Sequence, residues 1–389
     1  MATDEELPFI VFGAPDIQRD EIDEVIATLE SGWIGTGPRV AQFEKEFAAL
    51  KSVGQDQVAA VNSCTAALHV SLIAADLDPG DEVITTAMTF CATANAIIHA
   101  GAKPVLVDID PVTLNIDTAQ LQQRISPRTR AIVPVHFAGR PCDMDEIVAI
   151  SAEHDLIVIE DCAHAIETLW RGQHAGTFGD FGCFSFYVTK NVVTGEGGMV
   201  LARSSDRIDR IKILALHGMS KDAWQRFGDD GYKHYDVVEA GFKYNMMDLQ
   251  AALGIHQLRR IERNWLRRQE IWNSYQQAFA KMAPGCPAQP EEHMRHAYHL
   301  YTLTIDERDC GMSRDEFIDR MSAAGIGVGV HYRSLAQQAH YQSRFGWHPD
   351  EYPVATAFGE TTVSLPLGPK LEDSDVERII ETVAAILAT

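Results

Sequence analysis

A single lysine stands where two apolar runs meet. In "FSFYVTKNVVTGEGGMV" (residues 184–200), Lys190 is the only cation among the seventeen. It is flanked by Val188, Val192 and Val193, which predicts apolar surroundings. A desolvated lysine loses its proton more easily, and its neutral amine forms Schiff bases with aldehydes and ketones. The "TGEGG" that follows lets the chain turn where side chains would obstruct it. Three other stretches carry residues of matching type. In "VNSCTAAL", Asn62 to Thr65 join a strand pattern to a helix expected to begin at about Ala66. Free amides at such a junction suit a phosphate, and Thr65 adds a hydroxyl, although the same residues also suit an ordinary helix cap. Phe90, in "TTAMTFCATANAI", follows a strand pattern and offers either a ring to stack on a flat ligand or a piece of core. "LIVIEDCAHA" ends an apolar strand on Glu160 and Asp161, with His164 shortly after. An acid there is either a helix cap or a working carboxylate.

The elements that must position these residues alternate. "VAAVNS", "EVITTA", "KPVLVDI", "AIVPVHFAG", "LIVIED", "GCFSFY" and "GGMVLAR" read as strands, and most are separated by helical patterns. Short β-rich apolar runs alternating with helices predict βαβ units and a mostly parallel seven-stranded sheet, buried on both faces. Ligands in such α/β sheets bind at the carboxyl ends of the strands, where Lys190, Asp161, Phe90 and Thr65 all fall. After Arg203 the pattern changes. Residues 218–247 read as an irregular excursion, and one long helix is expected from about Asp248 through Leu258, Ile261 and Trp265. "HAYHLYTLTID", "SRDEFIDRMSAAG", "IGVGVHYR" and "DSDVERIIETVAAILA" then read strand, helix, strand, helix. The expected organisation is a large α/β domain over 1–250 and a smaller α+β domain over 251–389.

Composition narrows the partners. The 389 residues carry a formal net charge of -22, with acids spread along the chain, which argues against nucleic acid as a partner. No apolar run has the length of a membrane span, and the start "MATDEELPFI" lacks the character of a secretory signal, so a cytoplasmic protein is expected. Seven scattered cysteines without a CxxC pair fit reduced thiols. Cys162 and His164 lie close together, but no second ligand pair has zinc-like spacing, and no metal is expected. No GxGxxG follows the first strand, which disfavours a dinucleotide oxidoreductase.

Together the four strand-end features describe a pyridoxal phosphate (PLP) site. That cofactor needs a phosphate cradle, a ring on one face, a carboxylate at its pyridine nitrogen and a lysine for its aldehyde. The sequence also resembles the DegT/StrS group of sugar-nucleotide aminotransferases, which have the type I aspartate-aminotransferase fold. The matching stretches include "SGWIGTGPRVAQFEKEFA" (31–48), "GDEVITTAMTFCATANAI" (80–97), "VIEDCAHAIET" (158–168), "FSFYVTKNVVTGEGGMV" (184–200), "GFKYNMMDLQAALG" (241–254) and "GIGVGVHYRSL" (325–335). The resemblance implies that Lys190 is the Schiff-base lysine and Asp161 the partner of the pyridine nitrogen. It puts His164 against the cofactor ring, makes Phe90 the stacking aromatic, and makes Thr65, Ala66 and Ser185 phosphate binders. It further implies a homodimer in which Asn245 reaches the neighbouring active site. Trp33, Tyr187 and His331 match regions that line the sugar pocket. Tyr187 stands where the family often has histidine, and "HYRSLAQQAHYQSRFG" departs from the usual C-terminal pattern. The resemblance implies L-glutamate as donor and a nucleotide-linked keto sugar as acceptor, aminated at C4 as in enzymes acting on UDP-4-keto sugars. The alternatives are a 3-keto sugar or keto-cyclitol, or a PLP-bound sensor without turnover.

Overall fold

The computed structural model describes residues 8–220, 235–282 and 285–388. Its main sheet contains β1 (Val58–Val61), β2 (Glu82–Thr86), β3 (Lys103–Val107), β4 (Thr129–Val133) and β5 (Ile157–Asp161). Two short strands follow, β6 (Leu169–Trp170) and β7 (Gln173–His174), before the sheet resumes with β8 (Phe181–Ser185) and β9 (Gly198–Ala202). The order is β1-β9-β8-β5-β4-β2-β3. Neighbours from β3 to β8 pair in parallel, and β9 alone runs against the rest. All seven strands overlap the segments that alternation picked out, with β4 starting two residues and β8 one residue before theirs.

Helices cover the sheet. In chain order they are α1 (Arg19–Ser31), α2 (Pro38–Lys51), α3 (Cys64–Ala74), α4 (Cys91–His99), α5 (Thr118–Arg124), α6 (Met144–Glu153) and α7 (Ser205–Leu214). One face packs α3 and α7 through Ala67, Leu68, Ile208 and Ile211 onto Val61, Val133 and Val200. The opposite face packs α2 and α8 (Asp248–Arg259) through Phe43, Phe47 and Ile255 onto Phe184 and Met199. Burial on both sides is why these strands read as unbroken apolar runs.

A separate core lies around α9 (Ile261–Phe279). Trp272, Tyr275 and Phe279 meet β11 (Tyr301–Thr304), α11 (Arg314–Ala323), β12 (Thr362–Leu365) and α14 (Asp373–Leu387), and Ile10 joins them. The remaining elements are β10 (Met294–Arg295), which pairs with β6, and the helices α10 (Glu307–Cys310), α12 (Ala339–Phe345) and α13 (Pro353–Thr361).

Two expectations change. The long helix after Asp248 is two helices, because Arg260 leaves helical geometry (φ -109°, ψ 13°). Its guanidinium there bonds the Asp16 carbonyl and pairs with Glu21, tying the break to the N-terminal segment. "IGVGVHYR" is not a strand. Among the described residues its β pairing is limited to single bridges, Ile10 to Ile326 and Gly329 to Ser364. No helix among the described residues is long and apolar enough to cross a membrane. Part of the polar excursion, residues 221–234, lies outside the described residues.

Candidate active site

Period-two alternation separates the two acids that end β5. Glu160 turns to one side, where it accepts the amides of Gly176, Phe178 and Gly179 and meets His136 Nε2 at 3.1 Å. His136 Nδ1 in turn accepts the Cys142 amide. That carboxylate holds a loop in place. Asp161 turns the other way, into a cavity of about 480 Å³ at the carboxyl ends of the strands. One of its oxygens accepts the Thr93 hydroxyl at 2.9 Å, and the other accepts the Ala163 amide at 3.1 Å. Burial pushes the carboxyl up from its ordinary range, while these bonds and Lys190 pull against that rise.

Lys190 enters the same cavity from the loop joining β8 to β9. The loop is pinned by Lys190 N–H to the Tyr187 carbonyl (2.9 Å), Thr194 N–H to the Phe186 carbonyl (2.8 Å) and the Thr194 hydroxyl to the Glu196 carbonyl (2.7 Å). Among the described residues, Nζ has no hydrogen-bond acceptor. Burial lowers its pKa to about 8, against the opposing pull of Cys64 and Asp161. A substantial share of the amine is therefore neutral and nucleophilic near pH 8.

The phosphate end is built at the start of α3. The helix begins at Cys64, two residues earlier than expected, because Ser63 caps it (φ -168°, ψ 160°) and its hydroxyl takes the Ala66 amide at 3.1 Å. The cap and the anion site coexist. The Cys64 and Thr65 amides have no acceptor within the helix, while that of Ala66 is already engaged. Ser63, Thr65 and Ser185 line the cavity beside them. A Cβ on Gly198 would lie 2.5 Å from the Ser63 carbonyl carbon, so only glycine lets β9 approach this helix end.

The flat walls are aromatic. Phe90, at the first turn of α4, is 56% exposed on the cavity side, with its ring 5.8 Å from that of Tyr332. His164 is buried, its ring tilted against that of His299 at 4.3 Å and stacked 6.0 Å from that of Tyr332. Its Nδ1 accepts the Ala138 amide at 3.3 Å, and its Nε2 lies 3.0 Å from the Tyr332 hydroxyl. Burial and Lys190 hold it well below the ordinary histidine range, so the ring is neutral. His331 also lines the cavity. It meets the Ser364 hydroxyl at 2.9 Å and is pushed down to about 4 by burial. Tyr187, 44% exposed, stands at the rim.

Of the residues singled out in the sequence, Lys190, Asp161, Thr65, Phe90, His164, Ser185, Tyr187 and His331 share this cavity. Ala66, Asn245 and Trp33 do not line it. Asn245 donates to the Thr36 hydroxyl at 2.7 Å and accepts from Lys243 at 2.6 Å. Trp33, 58% exposed, sits on the turn that carries Thr36. Both therefore belong to one patch outside this chain's own cavity.

Thr93 and Tyr332 were not singled out. Thr93 bonds Thr89, just ahead of α4, at 2.8 Å, and that hydroxyl pair four residues apart at the start of an apolar helix was its signal. Tyr332 was hidden by the strand reading, which would send it and His331 to opposite faces.

This donor set fits pyridoxal phosphate. It supplies a neutralisable lysine, a buried carboxylate, a helix end with free amides and hydroxyls, and apolar walls in one cavity.

The comparisons agree. The model of the DegT/DnrJ/EryC1/StrS aminotransferase family matches residues 15–384. The chain is 47% identical over 380 residues, 97% of each chain, to the spore coat polysaccharide biosynthesis protein SpsC of Bacillus subtilis. It superposes with a TM-score of 0.90 on Spr1654 of Streptococcus pneumoniae, assigned as a sugar aminotransferase, at 35% identity over 98% of each chain. That protein has been solved in PMP and PLP forms. The aminotransferase TlmJ of Streptoalloteichus hindustanus gives 0.89 at 34% identity, over 98% of this chain and 99% of that one.

Proposed function

Because the chain belongs to the DegT/DnrJ/EryC1/StrS aminotransferase family, whose members are PLP-dependent and share the type I fold, we propose that it moves an amino group from L-glutamate to a nucleotide-linked keto sugar. C4 is the keto carbon in this reading, and the product enters amino-sugar biosynthesis. The observation that carries it is Lys190, depressed to about 8, facing the same cavity as Asp161. SpsC and Spr1654 carry polysaccharide and sugar chemistry in their names, which supports the acceptor class.

When bound, the cofactor supplies an electron sink for the pair left when a proton leaves the amino-bearing carbon. The chain's own residues do the rest. Lys190 Nζ would hold the cofactor through its aldehyde and would be the group placed to carry a proton to and from the reacting carbon. Asp161, oriented by Thr93 and the Ala163 amide, would pair with the ring nitrogen and keep it protonated. Thr65, Ser185 and the first amides of α3 hold the phosphate. Ala66 acts through its bond to Ser63, which fixes that helix end. Phe90 and His164, both on the cavity wall, would pack against the ring. Tyr187 and His331 meet the sugar.

Asn245 and Trp33 serve the partner subunit's site in this reading. An exposed apolar stripe on α1 (Ile22, Ile26 and Leu29 at helical spacing) continues into Trp33, Ile34 and Met247 beside them, which supports a homodimer. The domain division near residue 250 fits the core around α9, although Ile10 crosses to it.

The test is the visible spectrum of the PLP-loaded protein with L-glutamate, followed by keto acceptors. Bleaching of the band by glutamate and its return with a nucleotide-linked 4-keto sugar is the expected result. A band that ignores glutamate, or returns only with a 3-keto sugar or keto-cyclitol, overturns the donor or the acceptor respectively.

A further inference from the structure

Asn191, the residue after Lys190, has no choice in how its side chain points. Its Nδ2 lies 2.8 Å from Glu167 Oε2 and 3.0 Å from the Ala297 carbonyl, and both oxygens accept. The amide nitrogen must therefore face them. Its Oδ1 is left facing His299 Nδ1 at 2.9 Å, so that nitrogen carries the histidine's proton. Burial, with the Lys190 charge nearby, holds His299 well below the ordinary histidine range, so the ring is neutral and its Nε2 is bare. One carboxylate thus sets the orientation of an amide and, through it, the tautomer of a histidine.

Glu167 is itself fixed. It is buried in the segment after β5. Before it, the Ile166 carbonyl takes the Lys51 ammonium at 2.8 Å. After it, the Thr168 hydroxyl donates to the Gly139 carbonyl at 2.7 Å, and the Thr168 carbonyl accepts the Ala175 amide at 3.0 Å. Its other oxygen, Oε1, pairs with Arg268 Nη2 of α9. Arg268 is buried too, and its Nε has no partner among the described residues. Replacing such a buried pair by apolar residues is often neutral or stabilising, so stability alone does not account for it.

What the pair positions is the loop of Lys190. Backbone bonds from Lys190 N–H to the Tyr187 carbonyl and from Thr194 N–H to the Phe186 carbonyl close that loop on itself. The Asn191 side chain ties it outward, to Glu167 after β5 and to Ala297 and His299 ahead of β11. Through Glu167 the tie reaches α9 and the second core. Nζ of Lys190 has no acceptor of its own among the described residues, so its place is inherited from the backbone that carries it. We infer that Glu167 is a positioning residue for Lys190: paired with Arg268, it holds Asn191 and thereby the loop from which Nζ reaches the aldehyde of pyridoxal phosphate. The inference rests on Lys190 as the residue that links the cofactor and not on the identity of donor or sugar.

Glutamine at this position keeps the shape and exchanges one oxygen for an NH2 group. Arg268, the charged donor, keeps the remaining oxygen. The NH2 group then meets Asn191 Nδ2, donor against donor, until the Asn191 amide flips. A flipped amide sets Nδ2 on His299 Nδ1, which must give up its proton, and sets Oδ1 against the Ala297 carbonyl. The loop loses that tie.

Two readouts decide it, neither with amino donor or sugar. Nitrogen NMR of isotope-labelled histidines in the apo protein, with the His299 signal identified as the one lost in His299→Gln, shows the proton on Nδ1 in wild type and on Nε2 in Glu167→Gln. Covalent uptake of PLP by the apo protein, followed by growth of the visible band, slows about tenfold or more in Glu167→Gln, as expected for a reacting group set out of place. Affinity for pyridoxamine phosphate, which has no aldehyde and needs no lysine, stays at the wild-type value. A purely structural loss would lower both. A wild-type rate of uptake, an equal loss of affinity for pyridoxamine phosphate, or an unmoved His299 proton overturns the proposal. Should Glu167→Gln not fold, Asn191→Ala, which leaves the pair with Arg268 in place, gives the same split between uptake and pyridoxamine phosphate affinity or overturns the proposal by its absence. Failure of wild type to link PLP at Lys190 sinks the functional reading; an unmoved His299 proton in a protein that links PLP normally sinks this one.

Discussion

Two buried lysines in this protein share a pKa and differ in what surrounds the nitrogen. Burial lowers both Lys51 and Lys190 to about 8. Lys51, at the end of α2, gives its ammonium to the carbonyls of Ile166 (2.8 Å) and Ala175 (3.3 Å) and lies 4.4 Å above the ring of Phe184. Every direction from that nitrogen is protein. Lys190 has no acceptor among the described residues and opens onto a cavity with a carboxylate, hydroxyls and free amides in its walls. Desolvation makes an amine available as a nucleophile; only uncommitted bonding capacity and adjoining space make it usable. A depressed lysine is therefore a candidate site, and geometry decides between the two.

Exchanging the lysines' surroundings is impossible, but removing each tests the contrast most strongly. Lys190→Ala lowers turnover by at least about a thousandfold, since it loses both the covalent anchor and the proton carrier. Its melting temperature should stay close to wild type, because no bond of Nζ is lost. Lys51→Met is expected to do the opposite. It leaves two buried carbonyls without their donor and costs about 2–4 kcal/mol in denaturant melts, while the PLP band persists. Borohydride trapping followed by peptide mass spectrometry should place PLP on Lys190 alone. Label on Lys51 would break the comparison.

The same contrast was only half legible in the sequence. The lysine between valines, the acids after an apolar strand and the Ser-Thr junction before α3 all pointed to strand ends, because parallel strands buried on both faces announce themselves as apolar runs. Lys51 gave no signal. It reads as the last polar residue of an amphipathic helix, and only the tertiary approach of residues 166 and 175 buries it. Glu160 and Asp161 were indistinguishable in type, and the sheet's alternation separated them. The break at Arg260 was equally hidden, since the contact that ties it to Asp16 is tertiary, and so was the reduction of the "IGVGVHYR" strand to single bridges. Family motifs supplied Asn245 and Trp33, which no local pattern would have raised.

The paired acids sharpen the comparison one step lower in magnitude. Asp161→Asn keeps the Thr93 contact and the fold but no longer holds a proton on the ring nitrogen, and turnover falls about a hundredfold or more. Glu160→Gln loses its acceptor role toward one or more of three amides, and the expected result is a loss of about 1–3 kcal/mol in stability with PLP still bound. Calorimetry and single-turnover kinetics on the two variants check this together. A stable, inactive Glu160→Gln with an unstable, active Asp161→Asn would reverse the assignment of faces.

The smallest expected effect concerns pH. An unfolded lysine holds its proton up to about 10.4, and each of these two holds it only to about 8 when folded. Between those values the unfolded chain binds more protons, so both lysines make stability rise with pH across that window. They part company in cofactor capture. The rate at which apo protein takes up PLP follows the neutral fraction of Lys190, so it climbs about tenfold per pH unit below 8 and levels off above. In Lys51→Met the pH dependence of stability between 8 and 10.4 should lose one lysine's share, and the capture profile should keep its midpoint. Stopped-flow absorbance at a series of pH values measures the second quantity, and urea melts over the same range measure the first. A capture midpoint that moves when Lys51 is removed would mean that the two amines are coupled, and the separation drawn between a clamped lysine and an open one would fail.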